Sequence, residues 1–377
     1  MARIGKGGVM KPLEGLKVIE MARILAGPWI GQALADLGAE VIKLESPEGD
    51  DTRKWGPPFI EREGDVSAAY YYSANRGKVS EVVDFRQPEG QARVRELTAG
   101  ADILIENFKV GGLAKYGLDY ASLAEVNPAL IYCSVTGFGQ DGPYAKRAGY
   151  DYLLQGMSGL MDITGDPEGQ PTRFGVAVTD IVTGLYSTIG ILAAVEQRHR
   201  TGRGQHIDMS LLDCAVAMLA NQGMNYLATG VPPERTGSWH RNLGPYQVVP
   251  VKDGHIIIAV GNDGQFRRFC GVLGLEGLAD DPRFATNPGR VTHREALTPL
   301  IEAATASWDK LALLAAFEAA TVPAGPINDV GEALADPQVV ARGMQIAPEG
   351  VPGLRGPWKF SDAELALERT APVLPKG

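Results

Sequence analysis

The sequence predicts an α/β protein built around a doubly wound, mostly parallel sheet, and three observations indicate this class. Short apolar runs typical of buried strands alternate with segments of helical periodicity through the N-terminal half of the chain. The connections between these runs are too long for hairpins, so they favour parallel pairing. The 377 residues are 45% hydrophobic, which is enough for a large core in two lobes.

The first three elements form a compact βαβ unit. "LKVIEMA" is a buried strand, "WIGQALADLG" is a helix with Pro28 near its first turn and Gly38 at its end, and "AEVIKLE" is the next strand. The strands "SEVVDF", "DILIENF" and "LIYCSVTGF" follow, separated by the helices "PEGQARVRELTAGA" and "DYASLAEVNP". This alternation favours a doubly wound sheet.

Longer helices follow, and then the character of the sequence changes. We predict helices over roughly 150–161 and 179–200, the strand "GQHIDMS", and a helix from Leu211 to about Ala228. The Pro- and Gly-rich segment "TGVPPERTGSWHRNLGPY" then leads into a second lobe, where "YQVVPVKDGHIIIAV" is a hairpin.

The predicted division has four parts. They are a disordered or tail segment over 1–10, a large α/β domain over 11–228, a small domain over 229–325, and a return segment over 326–377 that packs on the large domain.

Composition excludes several classes of function. The net charge is −9, with acids and bases interspersed, so a nucleic-acid partner is not expected. The five histidines lack metal-binding spacing, and we predict no metal site. Cys133, Cys214 and Cys270 sit in apolar surroundings and are expected to be buried, reduced thiols. No membrane span and no signal peptide are recognisable, which indicates a cytoplasmic protein.

Two patterns suggest a ligand at the carboxyl ends of the strands. "SVTGFGQDGPY" contains G-x-G-x-x-G at Gly137, Gly139 and Gly142, but it follows about the fourth strand and no helix start follows it. We therefore interpret it as a tight loop whose backbone approaches a ligand or another chain rather than as a dinucleotide site.

Basic residues form the second pattern. Arg23, Lys43, Arg86 and Lys109 lie at or near strand ends, and Lys115 follows soon after. Cations gathered at this edge of a parallel sheet suit an anionic, phosphate-bearing ligand. An ordinary scatter of surface charge would give the same spacing.

Asp180 is a lone acid in the otherwise small and apolar stretch "RFGVAVTDIVTGLYSTIGILAAV". As a helix cap or a first-turn acid it would need no function, because the helix dipole favours a negative charge there. A catalytic carboxylate is the other interpretation.

The chain resembles the family III CoA-transferases. The resemblance is carried by "LEGLKVIEMARILAGPWIGQALADLGAEVIKLESPEGDDTRKWGPPF", "ADILIENFKVGGL", "NPALIYCSVTGFGQDGPYAKRAGYD", "GRGQHIDMSLLD" and "VPAGPINDVGEALADPQV", and it extends from about Lys11 to about Pro372. It implies an interlaced homodimer, in which each subunit has an interrupted Rossmann-like large domain and a smaller α+β domain. Family members usually carry one more short helix after the point where this chain reads "APVLPKG".

The resemblance also implies a role for Asp180, which matches the family's nucleophile. The carboxylate attacks an acyl-CoA thioester, and the reaction proceeds through aspartyl anhydride and aspartyl-CoA thioester intermediates. CoA and acyl-CoA are then substrates, and no tightly bound cofactor is expected. A dry pocket would protect the anhydrides, and a helix N-terminus would keep the acid ionised.

The family's CoA contacts carry over onto three segments and onto Lys115. Lys115 stands where many members have an arginine, which keeps the charge but loses the bidentate fork. Ser46 stands just after the second strand, where some members have another arginine. The matching positions are Ile24, Leu25, Ala26, Val83, Asp84, Phe85, Arg86, Asn107, Phe108, Lys109 and Lys115.

Particular residues indicate which branch of the family the chain resembles and therefore which substrates to expect. α-Methylacyl-CoA racemases share the fold but use a histidine where this chain has Tyr150, and a phenol is a poor base near neutral pH. The blocks "DDTRKWGPPF" and "YYYSANRGK" resemble the branch that acts on dicarboxylates, such as succinate–hydroxymethylglutarate CoA-transferase, and the glycine run of formyl-CoA:oxalate enzymes is missing. A racemase-like enzyme and formyl-CoA:oxalate or carnitine-type transfer stay as alternatives. Candidate substrate residues are Tyr150, Asp151, His240 and Arg241.

Overall fold

The computed structural model describes residues 10–375. The segment predicted as a tail, 1–10, lies outside the described residues except for Met10, and residues 376–377 also lie outside them. The described chain divides into two compact units. Unit 1 contains 10–160, 173–230 and 337–375, and unit 2 contains 161–172 and 231–336.

The elements of unit 1 up to residue 230 follow the predicted alternation. In chain order they are β1 (Lys17–Glu20), α1 (Ala26–Asp36), β2 (Glu40–Glu45), β3 (Phe59–Arg62), β4 (Asp65–Ala68), α2 (Ala69–Ala74), β5 (Val79–Val82), α3 (Pro88–Ala99), β6 (Ile103–Glu106), α4 (Tyr120–Val126), β7 (Ile131–Thr136), α5 (Asp151–Met157), α6 (Val178–Thr201), β8 (Gln205–Ser210), α7 (Leu211–Ala217) and α8 (Ala220–Thr229). Two short 3₁₀ helices, Asp51–Lys54 and Ala114–Tyr116, lie between them.

Five parallel pairings join six strands of unit 1 into one sheet, in the order β5-β2-β1-β6-β7-β8. Its central strands β1, β6 and β7 are almost entirely buried, because helices cover both faces of the sheet. On one face, side chains such as Val18 and Ile105 pack with Ile30 of α1 and Ile191 of α6. On the other, Leu104 and its neighbours pack with helices α3 and α4. The predicted central parallel sheet is confirmed.

Three parts of unit 1 differ from the sequence-based expectation. The β3–β4 hairpin and α2 occupy a stretch with no predicted elements. The helix expected from Leu211 to about Ala228 is two helices, because Ala220 takes a left-handed φ of 43°. The helix expected over 150–161 ends at Met157.

Unit 2 contains a three-stranded antiparallel sheet with helices. Its elements are β9 (Tyr246–Val251), β10 (Gly254–Ala259), α9 (Asp263–Leu273), α10 (Glu276–Asp280), α11 (Asn287–Thr292), α12 (Arg294–Thr305), α13 (Lys310–Ala319), β11 (Ala324–Pro326) and α14 (Val330–Ala335). The predicted hairpin is β9–β10, and β11 adds to its edge with Ile258 opposite Ala324. Phenylalanines of α9 and α13 pack on this sheet.

The chain returns from unit 2 to unit 1 later than the sequence predicted. The return was expected to begin at 326, but the β10–β11 pairing and the compact units keep residues up to 336 in unit 2. Unit 1 then resumes with α15 (Pro337–Ala341), β12 (Gln345–Ile346) and β13 (Gly353–Leu354). Residues 161–172 also belong to unit 2. The four-part domain division itself stays a prediction.

Helix α6 is the central helix of unit 1. In the part of the chain that the structure describes, it is the one helix with the length and apolar composition of a membrane span, a property that core helices share. It packs against α1, α7 and β8. Cys133, Cys214 and Cys270 are free and buried, as predicted.

Candidate active site

The strand order of the central sheet reverses at β1, which has β2 on one side and β6 on the other. Ligands of doubly wound sheets bind at such a point, beyond the carboxyl ends of the strands. The loops that follow β1, β6 and β7 line a cavity of about 520 Å³ there, and all of its lining residues belong to unit 1.

The cavity brings together most of the residues selected from the sequence. These are Ile24, Leu25, Ala26, Phe85, Arg86, Asn107, Phe108, Lys109, Lys115, Tyr150 and Asp180. Two of the expected CoA contacts have side chains elsewhere. Val83 is buried in the apolar core, and Asp84 pairs with Arg86, whose Nε lies 2.7 Å from its Oδ1.

Asp180 lies in the first turn of α6 and opens on the cavity. Its carboxyl group has no hydrogen-bond or ion-pair partner among residues 10–375. Burial, together with the negative charge of Asp151, raises the pKa of Asp180 to about 7. Both effects oppose the helix dipole, which was expected to keep this acid ionised, and that expectation stays a prediction.

Asp151 links the starts of two helices beside Asp180. Its carboxylate accepts hydrogen bonds from the Thr179 backbone N–H, at 2.8 Å, and from the Thr179 hydroxyl. Its second oxygen accepts from the Gln155 amide at 2.7 Å. The sequence left open whether Asp151 is a helix-terminal charge or a site residue. In the structure it does not line the cavity, but its charge acts on Asp180.

Cations gather around the cavity. Arg23 and Arg86 are paired with acids close to them in the fold, Asp51 and Asp84. The other four cations of the cavity have no carboxylate within ion-pair distance among the described residues, and they are Lys109, Lys115, Lys146 and Arg147. This set suits a ligand with several phosphate charges.

Lys146 and Arg147 were missed in the sequence, although they follow the glycine loop that was interpreted as approaching a ligand. That loop is tight: a Cβ on Gly137 would lie 2.6 Å from Cα of Gly149. Gly137 and Gly149 both line the cavity, so the close backbone approach places "AKR" at its rim. The basic pair within a glycine-bounded loop was the available signal.

Lys43 is a correction to the predicted cation cluster. Its ammonium group is buried and binds Glu20 at 3.0 Å, Asp50 at 2.9 Å and the Ala22 carbonyl at 2.8 Å. The opposite charges hold the pKa of Lys43 above its usual range despite burial. Lys43 therefore holds the loop after β1 through the Ala22 carbonyl and does not line the cavity.

The loop after β1 is strained at the cavity wall. Ile24 has φ 74°, a left-handed conformation that is rare for a β-branched residue. Asn107 binds the backbone of the preceding Arg23 on both sides, accepting from its N–H at 2.9 Å and donating to its carbonyl at 2.7 Å. The two loops that carry the expected CoA contacts are thus joined by one side chain.

Tyr70 of α2 is a further neighbour of Asp180 that the sequence did not single out. Burial, with the charges of Asp180 and Asp151, raises the pKa of Tyr70 to about 12. The phenol is therefore a hydrogen-bond donor at neutral pH. The run "AYYYSAN" was the only signal in the sequence, and it does not distinguish Tyr70 from the buried Tyr71 and Tyr72.

His240 and Arg241 belong to unit 2. The His240 ring nitrogen Nδ1 accepts from the Asn242 N–H at 3.1 Å. Arg294 donates to the carbonyls of His240, at 2.6 Å, and of Leu243, at 3.2 Å. Arg241 has no carboxylate within ion-pair distance among the described residues. Burial of Arg294 and then the charge of Arg241 lower the pKa of Arg294.

An α/β fold with a cation-lined cavity at its switch point is the arrangement of enzymes that bind phosphate-bearing ligands. The chain belongs to CoA-transferase family III, whose family model matches residues 13–376. It is therefore a CoA-transferase, and the resemblance found in the sequence is confirmed.

Individual relatives agree with this membership. The chain is 58% identical over 371 residues to a succinate–glutarate CoA-transferase of Agrobacterium fabrum, an alignment that covers 96% of this chain and 93% of that protein. It is 42% identical over 376 residues to a succinyl-CoA:glutarate CoA-transferase of Homo sapiens, covering 97% and 84%. A crystal structure of a CaiB/BaiF family protein from Brucella suis is similar with a TM-score of 0.88 and 60% identity, covering 97% of each chain.

No group of three or more His, Cys, Asp or Glu residues within 10–375 is arranged to hold a metal ion. The expectation that the enzyme needs no metal stays a prediction.

Proposed function

We propose that this enzyme transfers CoA between dicarboxylic acids, with succinyl-CoA as donor and glutarate or another C4–C6 dicarboxylate as acceptor. The names and identities of the relatives from Agrobacterium fabrum and Homo sapiens support the substrate class. The observation that carries the chemistry is Asp180, a carboxylate without a polar partner among the described residues that opens on a cation-lined cavity.

The proposed reaction has four steps, and Asp180 begins and ends it unchanged. The Asp180 carboxylate attacks the thioester carbonyl of the donor and expels CoA thiolate, which leaves a mixed anhydride. The thiolate attacks the aspartyl carbonyl and expels the donor acid, which leaves an aspartyl-CoA thioester. The acceptor carboxylate attacks that thioester and again expels thiolate, and the thiolate takes the acceptor's acyl group from the second anhydride.

The surroundings of Asp180 suit these steps. One thioester replaces another, so no nucleotide hydrolysis is needed, and CoA and acyl-CoA are substrates rather than bound cofactors. The unpaired cations of the cavity would hold the phosphates of CoA. The partial burial that raises the pKa of Asp180 also excludes water from the anhydrides.

A panel of free acids incubated with succinyl-CoA tests the substrate class, with new acyl-CoA products read by mass. We expect glutarate and other C4–C6 dicarboxylates to be converted, and monocarboxylates to react much more slowly. Faster conversion of formyl-CoA with oxalate, or of carnitinyl-CoA, would overturn the dicarboxylate assignment and leave the transferase chemistry in place.

Arg241 is proposed to bind the distal carboxylate of the dicarboxylyl-CoA substrate. Its guanidinium lacks a carboxylate partner among the described residues, and a lost charge-assisted bond costs about 1.5–3 kcal/mol. Arg241→Ala should therefore raise KM for succinyl-CoA more than KM for a monocarboxylyl-CoA. Arg267→Ala removes an exposed arginine of unit 2 and serves as the control. Equal losses for both donors would show that Arg241 does not read the distal group.

The pH dependence of transfer should report on Asp180 and Asp151. The nucleophile is the carboxylate, so kcat/KM should rise with pH through about 7, the pKa of Asp180. Asp151→Asn removes the neighbouring negative charge and should move this rise to lower pH. Asp213→Asn, on an exposed first-turn acid of α7, is the control. Identical midpoints for wild type and Asp151→Asn would contradict the coupling.

A second copy of the chain is proposed to cover the exposed apolar faces of unit 1 in an interlaced homodimer. Helix α8 has no buried residue, and Met224 and Leu227 on it are 62% and 75% exposed. Ile189 of α6 is 62% exposed as well. Large exposed apolar side chains on two helices of one unit are typical of an interface. The family resemblance supports the interlaced arrangement.

Interlacing predicts that the dimer survives dilution. Two threaded chains separate only by unfolding, so the apparent mass should stay dimeric at nanomolar concentration. Sedimentation with a fluorescent label measures this. Met224→Glu together with Leu227→Glu should lower the yield of folded dimer. A folded, active monomer on dilution would contradict the arrangement.

A further inference from the structure

A second cavity of unit 1 lies behind the loop that carries Asn107, Phe108 and Lys109. It measures about 280 Å³ and shares Phe108 and Lys109 with the larger cavity. Its floor is polar and buried: Glu106 at the end of β6 and Ser134 on β7 are 5% and 2% exposed. Glu106 does not line the larger cavity, so any effect it has on a ligand there passes through the backbone.

Glu106 holds the backbone of the shared loop. Its Oε2 accepts a hydrogen bond from the Phe108 N–H at 2.8 Å. Asn107, between these two residues, clamps Arg23 beside the strained Ile24. One buried carboxylate therefore fixes the start of the second loop and, through Asn107, the position of the first.

Ser134 on β7 lies between Glu106 on β6 and His206 on β8. Ser134 lies opposite Glu106 in the β6–β7 register and lines the same cavity, and hydrogen bonding from its hydroxyl lowers the pKa of Glu106. The Ser134 oxygen lies 2.9 Å from Nε2 of His206 on β8. The His206 ring is fixed by stacking on Tyr120 at 5.2 Å and by an edge contact with Tyr132. A hydroxyl has one proton, so Ser134 donates to an ionised Glu106 only when His206 presents an N–H at Nε2. A protonated Glu106 would reverse both bonds.

This relay differs from a hydrolytic triad. In a triad the acid orients the histidine, whereas here the acid binds the serine. A nucleophilic role for Ser134 does not follow.

We propose that Glu106 is a positioning residue for CoA binding: its ionised carboxylate fixes Asn107 and Phe108, and Ser134 and His206 govern whether it is ionised. The inference rests on the proposed CoA role of the larger cavity. Burial raises the pKa of Glu106 to about 7, which places the change within the working range of pH. The ionised form makes the stronger, charge-assisted bond to Phe108, so binding of CoA should tighten as pH rises through 7.

Other groups face the relay from the packed elements. Burial lowers the pKa of His206, while the charge of Asp208 opposes that shift and raises the pKa of Glu106. The charged or titratable neighbours are Lys109 on the loop, Asp119 and Tyr120 at the start of α4, Tyr132 and Cys133 on β7, and Asp208 on β8.

The test is the Kd for CoA between pH 6 and 8, measured by calorimetry on the dimeric enzyme. Glu106→Gln keeps an oxygen for the Phe108 N–H but cannot ionise. Its Kd should exceed the wild-type Kd by roughly three- to tenfold at pH 8 and approach it at pH 6. The ratio of the two Kd values cancels the titration of CoA itself. Glu125→Gln, on the exposed side of α4, is the matched control and should show a ratio near one throughout.

Two further variants, Glu106→Ala and Ser134→Ala, test the proposal even if Glu106→Gln fails to fold. Glu106→Ala removes the acceptor and should weaken CoA at both pH values and raise KM with little change in kcat, with partial rescue in Glu106→Gln. Ser134→Ala removes a donor to the carboxylate and should move the wild-type midpoint to higher pH. A constant Kd ratio from pH 6 to 8, or an unmoved midpoint in Ser134→Ala, would overturn the proposal.

The proposed function fails in a different way. If removing Lys109 and Lys115 weakens CoA but the Glu106 variants do not, the CoA cavity stands and the positioning role falls. If neither set changes CoA affinity, the cavity does not bind CoA and both ideas fall.

Discussion

The Asp180→Asn and Asp180→Ala variants are expected to lose CoA transfer by at least roughly a thousandfold, because the covalent route needs a carboxylate that both attacks and leaves. Tyr70 and Asp151, the titratable groups coupled to Asp180, cannot replace it. The phenol of Tyr70 is protonated at neutral pH, and the carboxylate of Asp151 is occupied by Thr179 and Gln155.

Two measurements separate lost chemistry from lost structure. Wild type mixed with succinyl-CoA and then hydroxylamine should be modified at Asp180, which peptide mass mapping detects, and neither variant should be modified there. Both variants should still bind CoA, because the cations of the cavity are untouched. Asp213→Asn, an acid in the same helical position on α7, should transfer at the wild-type rate. Substantial transfer by Asp180→Ala would sink the mechanism.

Asp180→Asn should raise the stability of the folded protein although it abolishes activity. An acid whose pKa is raised on folding binds protons more tightly in the folded state, so it lowers stability as pH rises from its unfolded pKa, 3.8, to about 7. Asp180→Asn removes this cost. Its melting temperature should exceed the wild-type value at pH 8, and the gap should narrow toward pH 5. A stable but inactive variant is what a strained active site predicts.

Much of unit 1 could be predicted because its strands are buried on both faces. Apolar runs such as "IYCSVT" in β7 (Ile131–Thr136) show no alternation of apolar and polar residues, and their order along the chain favours parallel pairing. Parallel pairing then places every strand's carboxyl end at one edge. For that reason, the basic residues Arg23, Arg86 and Lys109, which are far apart in sequence, could be predicted to lie at one edge, and all three line the same cavity.

What the sequence did not supply depends on pairing between side chains. A lysine near a strand end is equally compatible with a phosphate ligand and with buried acids, and only the fold places Lys43 on Glu20 and Asp50. The pKa of Asp180 has the same origin, since the helix position is local but burial and the charge of Asp151 are not. The assignment of β11 to the edge of β10 also depends on backbone pairing, because "AGP" has no strand signature.

Removing Lys109 and Lys115 together is expected to raise the Kd for CoA by roughly a hundredfold or more, since each charge-assisted contact to phosphate contributes about 1.5–3 kcal/mol. Both side chains are exposed at the cavity and lack a carboxylate partner among the described residues, so their charge is available to a ligand. The effect should fall on KM more than on kcat, because the phosphates lie far along CoA from its reacting sulfur. The dependence of Kd on salt concentration should also weaken in the double variant.

Two control variants and one truncated substrate distinguish phosphate binding from an effect on the loop. Lys17→Ala, at the exposed amino end of β1, removes a lysine from the opposite edge of the sheet and should leave Kd unchanged. Lys115→Arg restores the bidentate donor found in many family members and should bind CoA at least as tightly as wild type. A succinyl-pantetheine thioester has no nucleotide phosphates, so wild type and the double variant should turn it over at similar rates. An equal loss with succinyl-pantetheine would show that the two lysines act on the fold of the loop and not on the phosphates of CoA.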